Sequence, residues 1–293
     1  MKEFLLKLQE LELCVHHFGK LSDPAVLLIN GAAGQAILWD ENLCQNLAND
    51  GYFIIRFDPR DTGLSSNIDY LQNPYNLKDM AEDALKILDH FKIQKAHIVG
   101  MSMGGYVVQN MAIYFPQRII TLTLLMTTIN SLALRGVRGV TKLPGQDVEV
   151  IKQMALTYQA PRKTLADRVK SLTDTWQLFN GNEAPFPYQE WYKLAEKSYS
   201  RANGNNAVRN HRLAILNSPA DRTELLKNID IPTLIIHGKA DPIIKVAHAH
   251  YAHHHIPQAK LLIIDKMGHI LSSIFTSEIE NALLKHFKTI EES

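Results

Sequence analysis

Short aliphatic runs alternating with helical periods fill the first 126 residues and leave few folds open. Ala25-Val26-Leu27-Leu28-Ile29-Asn30 ends at Gly31, and Tyr52-Phe53-Ile54-Ile55-Arg56-Phe57-Asp58 ends at Pro59. Ala96 to Val99 and Ile119 to Met126 are two more such runs. Each is too short for a helix and mostly apolar on both faces, as strands of a parallel sheet covered on both sides are. Between them, Asn76 reads as a helix N-cap with Asp79 at the third position, followed by Met80, Ala84, Ile87, Leu88 and Phe91 at steps of three and four. Ser102 to Phe115 is a second helical stretch, stopped by Pro116. Strand-helix-strand alternation predicts right-handed crossovers and an α/β fold with a doubly wound, mostly parallel sheet. The segment Phe4 to Phe18 alternates apolar and polar residues from Leu11 onward and reads as an antiparallel edge hairpin.

From about Thr128 to Asp221 the strand-like runs stop. Helical stretches rich in Arg, Lys, Gln and aromatic residues replace them, punctuated by Pro144-Gly145, Ala160-Pro161 and Asn180-Gly181. The α/β signature resumes with Thr233-Leu234-Ile235-Ile236-His237-Gly238 and Lys260-Leu261-Leu262-Ile263-Ile264-Asp265. The 293 residues sit near the upper limit of about 250–300 for one growing core. A core of residues 1–127 and 222–293 carrying a helical cap over 128–221 is the simplest division.

The 31 Lys and Arg against 30 Asp and Glu give a net charge of +1, which supplies no electrostatic reason for nucleic acid or an anionic membrane as partner. Cys14 and Cys44 are too few for a disulfide framework and lack zinc or redox spacing, so they read as small buried hydrophobes. No apolar run reaches the roughly 18–20 residues of a spanning helix. Lys2, Glu3, Lys7, Glu10 and Glu12 break up any signal-peptide core, and the expectation is a cytoplasmic protein.

The chemistry concentrates in Gly100-Met101-Ser102-Met103-Gly104. This G-x-S-x-G follows a strand and opens a helix, the context a nucleophile elbow requires. The sharp turn leaves little room two residues either side of the serine, and Gly100 and Gly104 stand there. Ser102 would emerge at the C-terminal edge of the sheet, where open α/β sheets bind ligands. A serine hydroxyl needs a base and an orienting acid, expected in the chain order Ser, Asp or Glu, His. Asp241, in Gly238-Lys239-Ala240-Asp241-Pro242, and His269, after Met267-Gly268, follow successive strands at that same edge. Asp265 is a competing acid, but it ends a strand only four residues before His269. Oxyanion donors are expected from Met103, which follows the nucleophile, and from the loop Asn30-Gly31-Ala32-Ala33-Gly34. Ala32 is the assignment there and Ala33 the alternative. The Gly31 and Gly34 pair lacks the Lys and Ser/Thr of a phosphate-binding loop and is no dinucleotide fingerprint.

On these motifs the sequence resembles the α/β-hydrolase superfamily. Asp58-Pro59-Arg60-Asp61-Thr62-Gly63-Leu64-Ser65 resembles its D-x-R-G-x-G-x-S loop, with Asp61 where most members carry glycine. With Leu28-Ile29-Asn30-Gly31 and Gly100 to Gly105, it is most similar to the aclacinomycin methylesterase-like subgroup. That resemblance implies hydrolysis of a carboxylic methyl ester on a bulky polycyclic substrate. Asn30-Gly31 replaces the usual His-Gly, and Met101 the more frequent histidine inside the elbow.

The expected function is therefore a serine hydrolase, needing no cofactor or metal, that acts through an acyl-enzyme on a small apolar ester substrate, foremost a methyl or other small alkyl ester of a moderately large, apolar acid or alcohol. Lactonase, amidase or aminopeptidase, and perhydrolase activity use the same apparatus, and a ligand receptor that lost turnover is the reading from another class. An aspartate nucleophile, as in dehalogenases and epoxide hydrolases, is absent from the elbow. His248, His250, His253, His254 and His255 read as a solvated helix surface rather than a metal site. Trp176, Phe179, Phe186, Tyr188, Trp191, Tyr192 and Tyr199 are expected mostly to pack the cap, with a few lining an apolar pocket over Ser102.

Overall fold

The computed structural model describes residues 1–137, 139–159, 163–204 and 206–291. Eight strands form one sheet: β1 (Lys2–Lys7), β2 (Glu12–Phe18), β3 (Ala25–Ile29), β4 (Phe53–Phe57), β5 (Ala96–Met101), β6 (Ile119–Leu125), β7 (Thr233–Gly238) and β8 (Lys260–Ile264). Their spatial order is β1-β2-β4-β3-β5-β6-β7-β8. The edge hairpin expected near the N-terminus is present, with Leu5 opposite Cys14, and β2 runs antiparallel to β4. From β4 to β8 all neighbours are parallel.

Alternation along each strand explains why both faces are apolar. Leu27 and Ile29 point to one side, against Met80, Ala84 and Leu88 of α2 (Leu77–His90) and Val107 and Met111 of α3 (Met103–Tyr114). Val26 and Leu28 point to the other, against Leu43 and Leu47 of α1 (Glu41–Asn49) and Ile279, Leu283 and Phe287 of α10 (Thr276–Glu291). A sheet buried on both faces needs apolar residues at every position, which is why these strands read as continuous runs. Asn76 and Asp79 form the expected capping box of α2. The helix α1 buries Leu43, Cys44 and Leu47 along one face and starts at Asp40, whose carboxylate accepts from the Asn42 and Leu43 N–H groups.

Between β6 and β7 lie α4 (Val148–Gln159), α5 (Leu165–Asn180), α6 (Tyr188–Arg201), α7 (Ala207–Leu216) and α8 (Thr223–Leu226). The two ends of this stretch are drawn together by a bridge between Asn130 and Asp221 and by the Ser131 N–H donating to Ala220 O at 2.7 Å. Asn180-Gly181 closes α5, with Gly181 at φ +72°. Ala160-Pro161 lies outside the described residues. Cys14 and Cys44 are buried and free. Among the described residues no helix is long and apolar enough to cross a membrane.

The histidine-rich stretch forms α9 (Ala247–His255), and one of its members departs from the sequence expectation. His250, His253 and His254 are exposed, but His248 is fully buried, with Nδ1 at 2.7 Å from Thr128 Oγ1 and Nε2 donating to Pro144 O. Composition alone hides this, since burial depends on which side of the helix meets the core.

Three further buried histidines make stability depend on pH. Burial pushes the pKa of His16, His97 and His286 down to about 4. Once unfolded, the rings protonate below about pH 6.5, so the unfolded chain binds more protons and stability falls with pH through that window. A Tm series is expected to be level above about pH 7 and to drop steeply between about pH 6.5 and 4.5. A Tm that stays flat down to about pH 4.5 would contradict this account.

Candidate active site

The chain leaves β5, turns at Ser102 and enters α3 within a single residue. Ser102 sits at φ +54°, ψ −117°, a strained conformation for a side-chain-bearing residue. Its N–H donates to Leu125 O at 2.9 Å, and Thr127 Oγ1 donates to its carbonyl at 2.8 Å. The turn is packed so closely that a Cβ on Gly100 would stand 2.4 Å from Gly104 O. One on Gly104 would stand 2.3 Å from Ile29 O. Only glycine lets the elbow approach the end of β3 this closely.

Ser102 Oγ lies 3.0 Å from His269 Nε2, and His269 Nδ1 lies 2.7 Å from Asp241 Oδ2. Three side chains from the loops after β5, β7 and β8 thus form one hydrogen-bonded line. Asp241 is almost wholly buried, and its Oδ1 accepts the Ile243 and Ile244 N–H groups, both at 2.8 Å. Burial opposes its ionisation. His269 and the hydrogen bond to it, His237 and the Ile244 amide outweigh that and hold the carboxyl below its ordinary value. The Phe179 carbonyl accepts the His269 backbone N–H at 2.7 Å, and the Phe179 ring meets the imidazole edge-on at 6.0 Å. Asp265, the competing acid, lies on the surface in an ion pair with Lys239 at 3.0 Å.

The Asn30–Gly34 loop stands directly beside the serine, since a Cβ on Gly31 would be 3.1 Å from Ser102 Cβ. Asn30 Nδ2 donates to Gln35 O and the Gly34 N–H to Gly31 O, closing the turn. The two alanines differ. The Ala33 N–H donates to His211 Nδ1 at 2.9 Å, whereas Ala32 is exposed. Met103 opens α3, so its N–H belongs to the positive end of that helix.

The Asp58 loop braces this region. Asp58 Oδ1 accepts the Ala36 N–H at 2.7 Å, and Oδ2 accepts from Leu64 N–H and from Arg201 of α6. Asp61 takes φ +70°, which explains why glycine suits that position. Here the Asp61 carboxylate offsets the strain by accepting from the Ile68 N–H and the Tyr75 hydroxyl.

A sequence model described as the alpha/beta hydrolase fold matches residues 24–273. The chain belongs to the α/β-hydrolase family. Rhodomycin D methylesterase DnrP of Streptomyces peucetius is 30% identical over 285 residues, covering 94% of this chain and 95% of its own. The 3-oxoadipate enol-lactonase 2 of Acinetobacter baylyi is 26% identical over 261 residues, covering 89% and 87%. Among solved structures, an esterase from Exiguobacterium antarcticum superposes with a TM-score of 0.74 at 22% identity, covering 98% of this chain and all of its own.

Most of the aromatic residues between β6 and β7 pack rather than line a site, as the sequence suggested. Trp176 and Trp191 cluster with Val169, Ala195 and Ile270, the residue after His269. Phe186 stacks on Trp191, and the Tyr188 hydroxyl donates to Asp174. Trp191 also borders a groove of ≈ 260 Å³ whose lining mixes Ile37, Leu38, Leu194 and Leu271 with the charged Asp40, Glu190, Lys193 and Lys197. Two residues of this region escaped the sequence analysis. Arg201 and His211 reach loops 143 and 178 positions away in the chain, and no local pattern announces such contacts.

Proposed function

We propose that this α/β hydrolase is a carboxylic ester hydrolase working through a Ser102–His269–Asp241 triad and an acyl-enzyme. The unbroken hydrogen-bonded line from Ser102 Oγ through the imidazole to the buried Asp241 carboxylate carries this reading. His269 Nε2 removes the Ser102 proton as Oγ attacks the ester carbonyl, and then delivers it to the departing alcohol. Asp241 keeps the proton of the ring on Nδ1 and steadies the imidazolium. The Ala32 and Met103 amides receive the developing oxyanion. Water activated by His269 then releases the acid.

Residues 128–221 act in this reading as a cap. They bring Phe179 against His269 and His211 to the loop that carries Ala32. The methylesterase relative favours a methyl or other small alkyl ester. Lactone opening is the second reading, supported by the enol-lactonase relative and by the same attack on an acyl carbon.

A fluorophosphonate probe is expected to attach to one residue, Ser102, identified by peptide mass mapping. The labelled protein should lose turnover of p-nitrophenyl butyrate in proportion to labelling. Label on another residue, or full turnover after complete labelling, would overturn the reading. Comparing methyl esters with lactones then separates the two substrate classes.

A further inference from the structure

We propose that His211 is a positioning residue that holds the oxyanion loop in its working conformation, an inference that rests on the serine-hydrolase reading above. Ala33 is one of few non-glycine residues with positive φ, at +59°, and that backbone persists only if its surroundings hold it. The holding contact is specific. The Ala33 N–H donates to His211 Nδ1 at 2.9 Å, while His211 Nε2–H donates to Arg60 O at 2.8 Å. Together these bonds fix one neutral tautomer, with an acceptor facing the loop after β3 and a donor facing the loop after β4. The ring is fully buried, so no water can substitute for either bond. Burial also holds its pKa below the ordinary value and keeps the Nδ1 lone pair available near neutral pH.

The consequence reaches Ser102 through the turn itself. Gly31 packs against the Ser102 side chain, and the Gly31–Gly34 hydrogen bond closes the turn around Ala32. Binding Ala33 from outside therefore sets the orientation of the preceding peptide. It also removes Ala33 from the set of free donors and leaves Ala32 to meet the substrate oxygen. The helix that decides this is α7, between β6 and β7, so these helices shape the catalytic loop as well as cover it.

Three variants separate positioning from mere packing. In His211→Asn the side-chain Oδ1 stands near the Nδ1 position, keeping the acceptor for Ala33 but losing Arg60. In His211→Gln the longer amide reaches the Nε2 position, keeping Arg60 but losing Ala33. His211→Phe fills the volume and keeps neither. With p-nitrophenyl butyrate, kcat is expected to fall about 10- to 100-fold in the Gln and Phe variants, with KM within about threefold of wild type. The Asn variant should retain kcat within about threefold.

Amide exchange at Ala33, followed by NMR, should accelerate in the Gln and Phe variants and stay slow in Asn. Equal losses in Asn and Gln, or full kcat in Phe, would overturn the proposal. If Phe fails to fold, the Asn–Gln pair still decides. Ala33 exchange needs no turnover, so a wild-type protein that hydrolyses no ester would sink the serine-hydrolase reading, while exchange would still report whether His211 holds the loop.

Discussion

Ser102→Ala is expected to lower kcat for a simple aryl ester by about 10⁶-fold while leaving the Tm nearly unchanged. The oxygen proposed as the nucleophile is lost, and with it the 3.0 Å bond to His269. The packing of Gly31 against the Ser102 Cβ remains. Alanine can take the same backbone conformation as serine, because the elbow is held by the Leu125 carbonyl, Thr127 and the flanking glycines rather than by Oγ. His269→Ala should cost a comparable factor. The double variant should lose little more than either single one, because the two groups act as a unit. Steady-state kinetics beside thermal melts check this. A Ser102→Ala protein with more than about one-hundredth of wild-type kcat would rule out Ser102 as the nucleophile.

Asp241→Asn carries the second largest effect, a fall in kcat of about 10⁴-fold. The asparagine oxygen can still accept the Ile243 and Ile244 amides that Asp241 Oδ1 accepts now. Its NH₂ then faces His269 Nδ1 and donates where the carboxylate accepted. The imidazole must move its proton to Nε2, which points that proton at Ser102 and removes the base. Asp265→Asn supplies the control. Its carboxylate is paired with Lys239 on the surface, so kcat should stay within about twofold of wild type. Similar losses in both variants would show that the wrong acid has been assigned.

Much of this was legible before any coordinates. The continuous runs at Ala25, Phe53 and Thr233 announced buried parallel strands, because a sheet covered on both faces demands apolar side chains at nearly every step, and the run at Lys260 forms the half-buried parallel edge strand. Gly100 and Gly104 announced a tight turn around Ser102, and the chain order and strand ends pointed to His269 with Asp241 as the expected acid and Asp265 as its competitor. Local patterns were less informative where burial has no period. The helix α9 has no apolar stripe, and His248 looks like its exposed neighbours until that helix is laid against Thr128 and Pro144.

The sequence by itself determined the sheet, the elbow and the three loops that reach its C-terminal edge. These depend on residue spacing and on side-chain volume within a few positions. Only the tertiary structure decided that Asp241 rather than Asp265 meets His269, and that the Ala33 amide is occupied while Ala32 is exposed. It alone revealed that His211 and Arg201 of the intervening helices brace the loops around Ser102. Those outcomes rest on hydrogen bonds between groups 26 to 178 positions apart in the chain. Such bonds form only where packing brings a donor within about 3 Å of an acceptor, and no local periodicity encodes that distance.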